Sequence, residues 1–136
     1  MAPRRSLVFM TVSGEEKGLL GSQWYSENPI FPLEQTVANL NMDMVVVDDQ
    51  WPDENFYFRS DHYNFARKGV PILFFFTGTH DDYHRPSDHP DRILYEKTSR
   101  ITQLIYYLGL DIAEASGRPE WDPEAYRRVV EDGGDN

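Results

Sequence analysis

Two adjacent glutamates, Glu15 and Glu16, follow the short apolar run 6–12 and the turn Ser13-Gly14. Side by side at the end of a buried strand, two carboxylates repel unless a cation or a proton divides their roles: one would hold a metal while the other accepts protons. At a solvated helix start the same pair needs no such partner, because acidic side chains favour the positive end of the helix dipole. A third carboxylate, Asp43, sits in the alternating run 36–44, where Asn39, Asn41 and Asp43 share a face among Val37, Leu40, Met42 and Met44. Buried there it needs a cation or hydrogen-bond donors, whereas at a strand end it would bond local amides.

Residues 79–89, Thr-His-Asp-Asp-Tyr-His-Arg-Pro-Ser-Asp-His, hold three of the four histidines. With no cysteine in the chain, thiolate sites and disulfides are excluded, and any metal must be held by histidine and carboxylate. That donor set suits Zn²⁺. The free ring nitrogen of a ligating histidine needs a partner, which Asp81, Asp82 or Asp88 would supply. The plainer reading is a polar loop with exposed histidines.

These residues must be positioned by something, and the patterning supplies it. Run 6–12 is β-rich and predicts a buried strand delivering Glu15 and Glu16 at its carboxyl end. Leu20, Trp24 and Tyr25 fall on one face of a helix that stops at Asn28-Pro29. Residues 36–44 predict a second strand, and 45–58, acidic and carrying Trp51-Pro52, a surface connection. Ser60-Asp61 reads as the cap of a short helix ended by Gly69, with a strand at 72–76 after Pro71. Residues 77–92 are loop, and the stripe Leu94, Thr98, Ile101, Ile105, Leu108 and Ile112 predicts a long amphipathic helix ending near Gly117. Trp121-Asp122-Pro123 is expected to pack back on the surface, and 131–136 to fray.

The length of 136 residues, 40% of them hydrophobic and 14% aromatic, supports one domain with a real core. Its 23 acidic against 13 basic residues, a formal charge of -10, disfavour a nucleic-acid partner. The strongest apolar run, 70–76, falls far short of the roughly 20 residues a membrane span needs. The start Met1-Ala-Pro-Arg-Arg leads into no long apolar segment, so no export signal is expected in this chain.

Taken together, residues 11–22 (TVSGEEKGLLGS), 39–44 (NLNMDM), Ser60-Asp61-His62 with Gly69-Val70-Pro71, and 82–88 (DYHRPSD) resemble, in order, the M28 metallopeptidases, the resemblance running from about Arg5 to Trp121. It implies an α/β fold: a mixed, mostly parallel sheet flanked by helices, a truncated version of the zinc-aminopeptidase (phosphorylase/hydrolase-like) fold, with a partial peptidase domain over 1–121 and a polar tail over 122–136. It implies zinc-dependent aminopeptidase activity on peptides. Glu15 would be the general base, Glu16 and His84 ligands of one zinc, Asp43 a ligand of the other, and Tyr83 a group that polarises the carbonyl or stabilises the oxyanion. Asp61 and Asp88 would support these ligands; Asp61-His62 reads as a helix cap and buttress, and His80 and His89 as exposed or supporting residues.

The family's site also draws on a His-x-Asp histidine and a bridging aspartate upstream of the Glu-Glu pair. The fourteen residues before Glu15 contain no His, Asp or Glu. The expectation is therefore one zinc or none where the family has two, with activity reduced. The connection from Asp43 to Ser60 is also short for the family, and lost strands would leave apolar edges suited to self-association or to a missing amino-terminal half. Two other readings stand beside the peptidase: a non-catalytic remnant or interaction module of the same fold, and a glutaminyl cyclase-like single-zinc enzyme. Family members are often secreted or periplasmic.

Overall fold

The computed structural model describes residues 3–43, 56–76 and 78–132, apart from the side chains of Met42, Asp43 and Val129. Residues 45–55 of the expected connection 45–58, Met44, Thr77 and residues 133–136 of the expected frayed end 131–136 lie outside the described residues, while Phe56–Arg59 form a 3₁₀ turn with Phe56 buried, so the last part of that connection is not a plain surface loop. The helices are α1 (Leu20–Glu27), α2 (Tyr63–Ala66), α3 (Tyr95–Glu114) and α4 (Pro123–Tyr126), and the strands are β1 (Asn39–Asp43) and β2 (Ile72–Phe76). The protein is thus α/β, with a parallel sheet flanked by helices.

The two strands pair in parallel with Asn39 opposite Ile72 and Asp43 opposite Phe76, so both carboxyl ends finish at the same edge of the molecule. A parallel pair needs a crossover, and α2 lies within it. Phe75 and Phe76 are buried, and Phe76 packs on Phe56 with ring centroids 4.6 Å apart. Phe65, Ala66 and Val70 from α2 and the turn after it complete the buried centre, with Ala113 from α3. Gly69 ends the α2 segment at φ 79°, a left-handed geometry that glycine adopts without steric cost, as its position before Pro71 suggested.

Three expectations need correction. Residues 6–12 form no strand; Leu7, Val8, Phe9 and Met10 are exposed, Phe9 at 90%. The run is apolar enough for a strand, but no described strand pairs with it, and a ladder needs a partner as well as a pattern. Helix α1 turns Leu20 and Trp24 to solvent and buries Ser22 and Ser26 instead. It packs against α2, where the small serines permit close approach and Tyr25 reaches Phe65 at 5.9 Å between centroids. Asp61 does not cap α2, whose N-cap is His62 with no side-chain bond.

Helix α3 is amphipathic as its stripe implies, with Thr98, Ile101, Ile105, Leu108 and Ile112 half-buried and Gly109 against Leu40 of β1, but Leu94, expected to open the stripe, is exposed just before the helix. It ends at Glu114, slightly before Gly117. Arg5 closes that end: its guanidinium donates to the carbonyls of Ile112 and Ala115 at 2.7 Å and of Gly117 at 3.0 Å. Trp121 does pack back, donating from Nε1 to the Gly69 carbonyl at 3.2 Å. Asp122 then caps α4 by accepting from the amides of Glu124 and Ala125. No described helix is long and apolar enough to cross a membrane.

Candidate active site

Glu15 and Glu16 sit on one turn of 3₁₀-helix, Glu15–Lys17, between Gly14 at φ 75° and Gly18 at φ 100°. Leu19 continues the reversal at φ 58°, a conformation that strains a side chain with a Cβ. Its carbonyl accepts from Asn64 Nδ2 at 3.4 Å, and Ser22 Oγ stands 3.1 Å away. Ser22 donates to Asp61 Oδ1 at 2.6 Å and accepts from Asn64 Nδ2 at 2.9 Å. Ser22 and Asn64 are buried, so this network fastens the glutamate turn to α1 and α2. The turn therefore stands on a bolted base although no buried strand precedes it. The desolvation conflict argued from a buried strand is absent for Glu16, whose side chain is 68% exposed.

The second arm of the site is the loop after β2. Tyr83 packs edge-on against Phe76 at 6.3 Å and stacks on His84 at 4.0 Å, so the imidazole is attached through two rings to the strand end. His84 itself takes φ 57°, a second left-handed residue that is not glycine. Asp82 braces the loop by accepting from Ser87 Oγ at 2.7 Å and by pairing with Arg92. The result is a direct approach of His84 Nε2 to Glu16 Oε1 at 3.1 Å, across residues 68 positions apart in sequence.

The remaining expected site residues are placed differently. Asp61 accepts from Ser22 and lies behind the glutamate turn. Asp88 faces His80 at 3.9 Å. Asp43 closes β1 opposite Phe76, and its side chain lies outside the described residues. His62 is fully buried, stacked on Phe74 at 4.2 Å, with Asn41 Nδ2 3.4 Å from its Nδ1. Nε2 meets no hydrogen-bond partner among the described residues, although the Tyr57 main chain acts weakly to retain a proton on the ring. Burial dominates and pushes the imidazole down to about 4. Burial also pushes the Tyr57 hydroxyl well up.

Glu15, Glu16, Tyr83 and His84 line a single cleft of about 480 Å³ together with Arg59 and Arg67. Reasoning from sequence missed Ser22, Asn64 and the two arginines. A buried serine and asparagine at a helix contact carry no local pattern, and isolated arginines read as solvated charges.

Two donors bound to one tetrahedral zinc at about 2.0–2.1 Å stand about 3.3 Å apart, so Glu16 and His84 have the spacing and atom types of a ligand pair. A catalytic zinc takes three protein ligands, and no group of three His, Cys, Asp or Glu suited to a metal occurs among the described residues. The pair fits part of a zinc site.

Carboxylates, a phenol and an imidazole thus line one cleft beside the carboxyl end of β2 on an α/β scaffold. The model of Peptidase family M28 matches residues 1–52 and 46–109, and the chain belongs to that family. It is thereby a peptidase-type hydrolase, with peptides as the substrate class. Neither the curated proteins nor the solved structures contain a match to the chain.

Proposed function

We propose that this chain is a zinc-dependent aminopeptidase, with Glu16 and His84 holding one metal, Asp43 a ligand of the family's other zinc, and activity reduced by the small number of ligands. The observation that carries this reading is the 3.1 Å approach of His84 Nε2 to Glu16 Oε1 in the lining of the cleft. Bound zinc would lower the pKa of a coordinated water and polarise the scissile carbonyl. Glu15 accepts the proton of the attacking water and returns it to the departing amine, a transfer that a carboxylate next to the Glu16–His84 pair is suited to make. Tyr83, anchored on Phe76, offers its hydroxyl to the developing oxyanion. Asp61 acts at one remove, keeping the glutamate turn in place through Ser22.

A second reading, a non-catalytic module of the same fold, draws on the count of donors, since the described residues stop at a pair. Metal content decides between them. Bound zinc that is lost in both Glu16→Ala and His84→Ala, with cleavage of the amino-terminal residue from a peptide, supports the peptidase. A folded chain that binds no zinc and cleaves nothing sinks it and leaves the module.

A further inference from the structure

Aromatic rings recur through the lining of the cleft: Phe56, Phe58, Tyr63, Phe74, Phe76 and Tyr83 all border it, beside Leu19. Ring contacts join them. Side chains two apart on a strand share a face, so Phe74 and Phe76 of β2 stack with 12° between their planes and centroids 5.7 Å apart. Phe76 meets Tyr83 at 6.3 Å, and Tyr83 stacks on His84 at 4.0 Å. In the other direction Phe74 stacks on His62 at 4.2 Å, His62 meets Tyr57 at 4.8 Å, and Tyr57 meets Phe58 at 5.5 Å. Phe58 stands edge-on to Tyr63 of α2 at 5.1 Å. The contacts therefore run unbroken from the imidazole of the Glu16–His84 pair to α2. The rings differ in what they present. Phe56 and Phe76 are buried, and the Phe56 face already carries the Arg59 guanidinium, its carbon 5.4 Å from the centroid. Phe58, Phe74, Tyr83 and Leu19 are half-buried and keep area for a ligand.

We propose that this wall of rings receives the amino-terminal side chain of the substrate and selects peptides that begin with an aromatic residue. The inference rests on the aminopeptidase reading, which sets the scissile carbonyl at the Glu16–His84 pair, and deepens it by naming the substrate class. The first side chain branches from the carbon next to that carbonyl, so it falls on the surface adjoining the pair, and that surface is Tyr83 and Phe76. The first residue also has no chain ahead of it. It can stop against the buried rings of Phe56 and Phe76, where a later residue would need a way out. Any apolar side chain gains by leaving water there, but a ring set against rings adds offset or edge-to-face contact beyond the area it buries. The volume of about 480 Å³ leaves room for a large side chain and the peptide link behind it.

The test is binding, kept separate from turnover by dipeptide amides in which a methylene-amino link replaces the scissile bond. Calorimetric titration of the full chain compares the phenylalanyl-alanine, cyclohexylalanyl-alanine, alanyl-alanine and alanyl-phenylalanine forms. The phenylalanyl form is expected to bind about tenfold or more tightly than alanyl-alanine. It is expected to bind about threefold or more tightly than the cyclohexyl form, which matches it in bulk and lacks the π face. Phe74→Leu and Phe58→Leu each remove one ring and keep the surface apolar, and each is expected to shrink the preference for phenyl over cyclohexyl. Thermal unfolding checks that both fold; Phe58 lies outside the sheet, so its variant carries the test where Phe74→Leu does not fold. Three results overturn the proposal: phenylalanyl binding no tighter than cyclohexylalanyl or alanyl, tighter binding of alanyl-phenylalanine, or a ring preference unchanged in the folded variants. A ring preference at the first residue without cleavage of phenylalanyl-alanine amide leaves this inference standing and sinks the aminopeptidase reading instead.

Discussion

At the scale of single residues, His62 is the most constrained titratable group described. Buried and held near 4 in the folded protein, it returns to about 6.5 when exposed, so the unfolded chain takes up a proton that the folded chain refuses. Its contribution to stability is whole above about 6.5 and is lost as the pH falls toward about 4. At ~1.36 kcal/mol per pKa unit the loss reaches about 3 kcal/mol. Urea unfolding at a series of pH values is expected to show that decline, and His62→Gln to flatten it; an unchanged slope in the variant would remove His62 as the cause. Glu15 makes a different residue-scale prediction. Glu15→Gln keeps the shape and loses the proton acceptor, so cleavage should fall about 10²-fold or more while zinc content stays that of the parent. Parallel loss of zinc would make Glu15 a ligand.

At the scale of elements, the glutamate turn depends on what lies beneath it. A Cβ added at Gly21 would come within 2.6 Å of the Ser13 carbonyl oxygen, a main-chain atom that cannot swing aside. Gly21→Ala should therefore cost about 1–3 kcal/mol through overpacking. Ser22→Ala should cost a similar amount, by leaving Asp61 and Asn64 without their shared hydroxyl. Denaturant midpoints measure both, and a midpoint unmoved in Ser22→Ala would show that water replaces the hydroxyl. The strands at 39–43 and 72–76, the Gly69 stop and the long α3 stripe were legible because each follows from a local period or a local breaker. Run 6–12 misled because apolarity reports burial preference and says nothing of whether a ladder partner exists. The face of α1 misled because its serines face α2, and close packing there took precedence over the hydrophobic period. Helix α4 escaped notice although Asp122-Pro123 is a start signal of the ordinary kind. Of the site, the neighbourhood of Glu16 and His84 was readable through the family's motif order. The network of Ser22, Asp61 and Asn64 was not, because polar pairs 39 and 42 positions apart leave no periodic trace.

At the scale of the whole molecule, apolar surface stands open on several sides. Leu7 through Met10, Ile30 with Phe31, Leu73 of β2, and Leu104, Tyr106 and Tyr107 of α3 are all exposed. So much large apolar surface is unusual for an isolated chain and invites association. Sedimentation velocity over a range of concentrations is expected to show reversible self-association, weakened by Phe9→Asp; a single monomeric species at every concentration would rule it out. The Arg5 clamp has a kinetic consequence. Its three bonds join residues 107 to 112 positions apart, so they close a ring of nearly the whole chain, and the entropy of that closure must be met before they form. Contacts of such long range belong to the last stage of folding. Arg5→Ala should steepen nothing on the refolding limb of a chevron and raise the unfolding limb alone, making the guanidinium a latch on the lifetime of the native state.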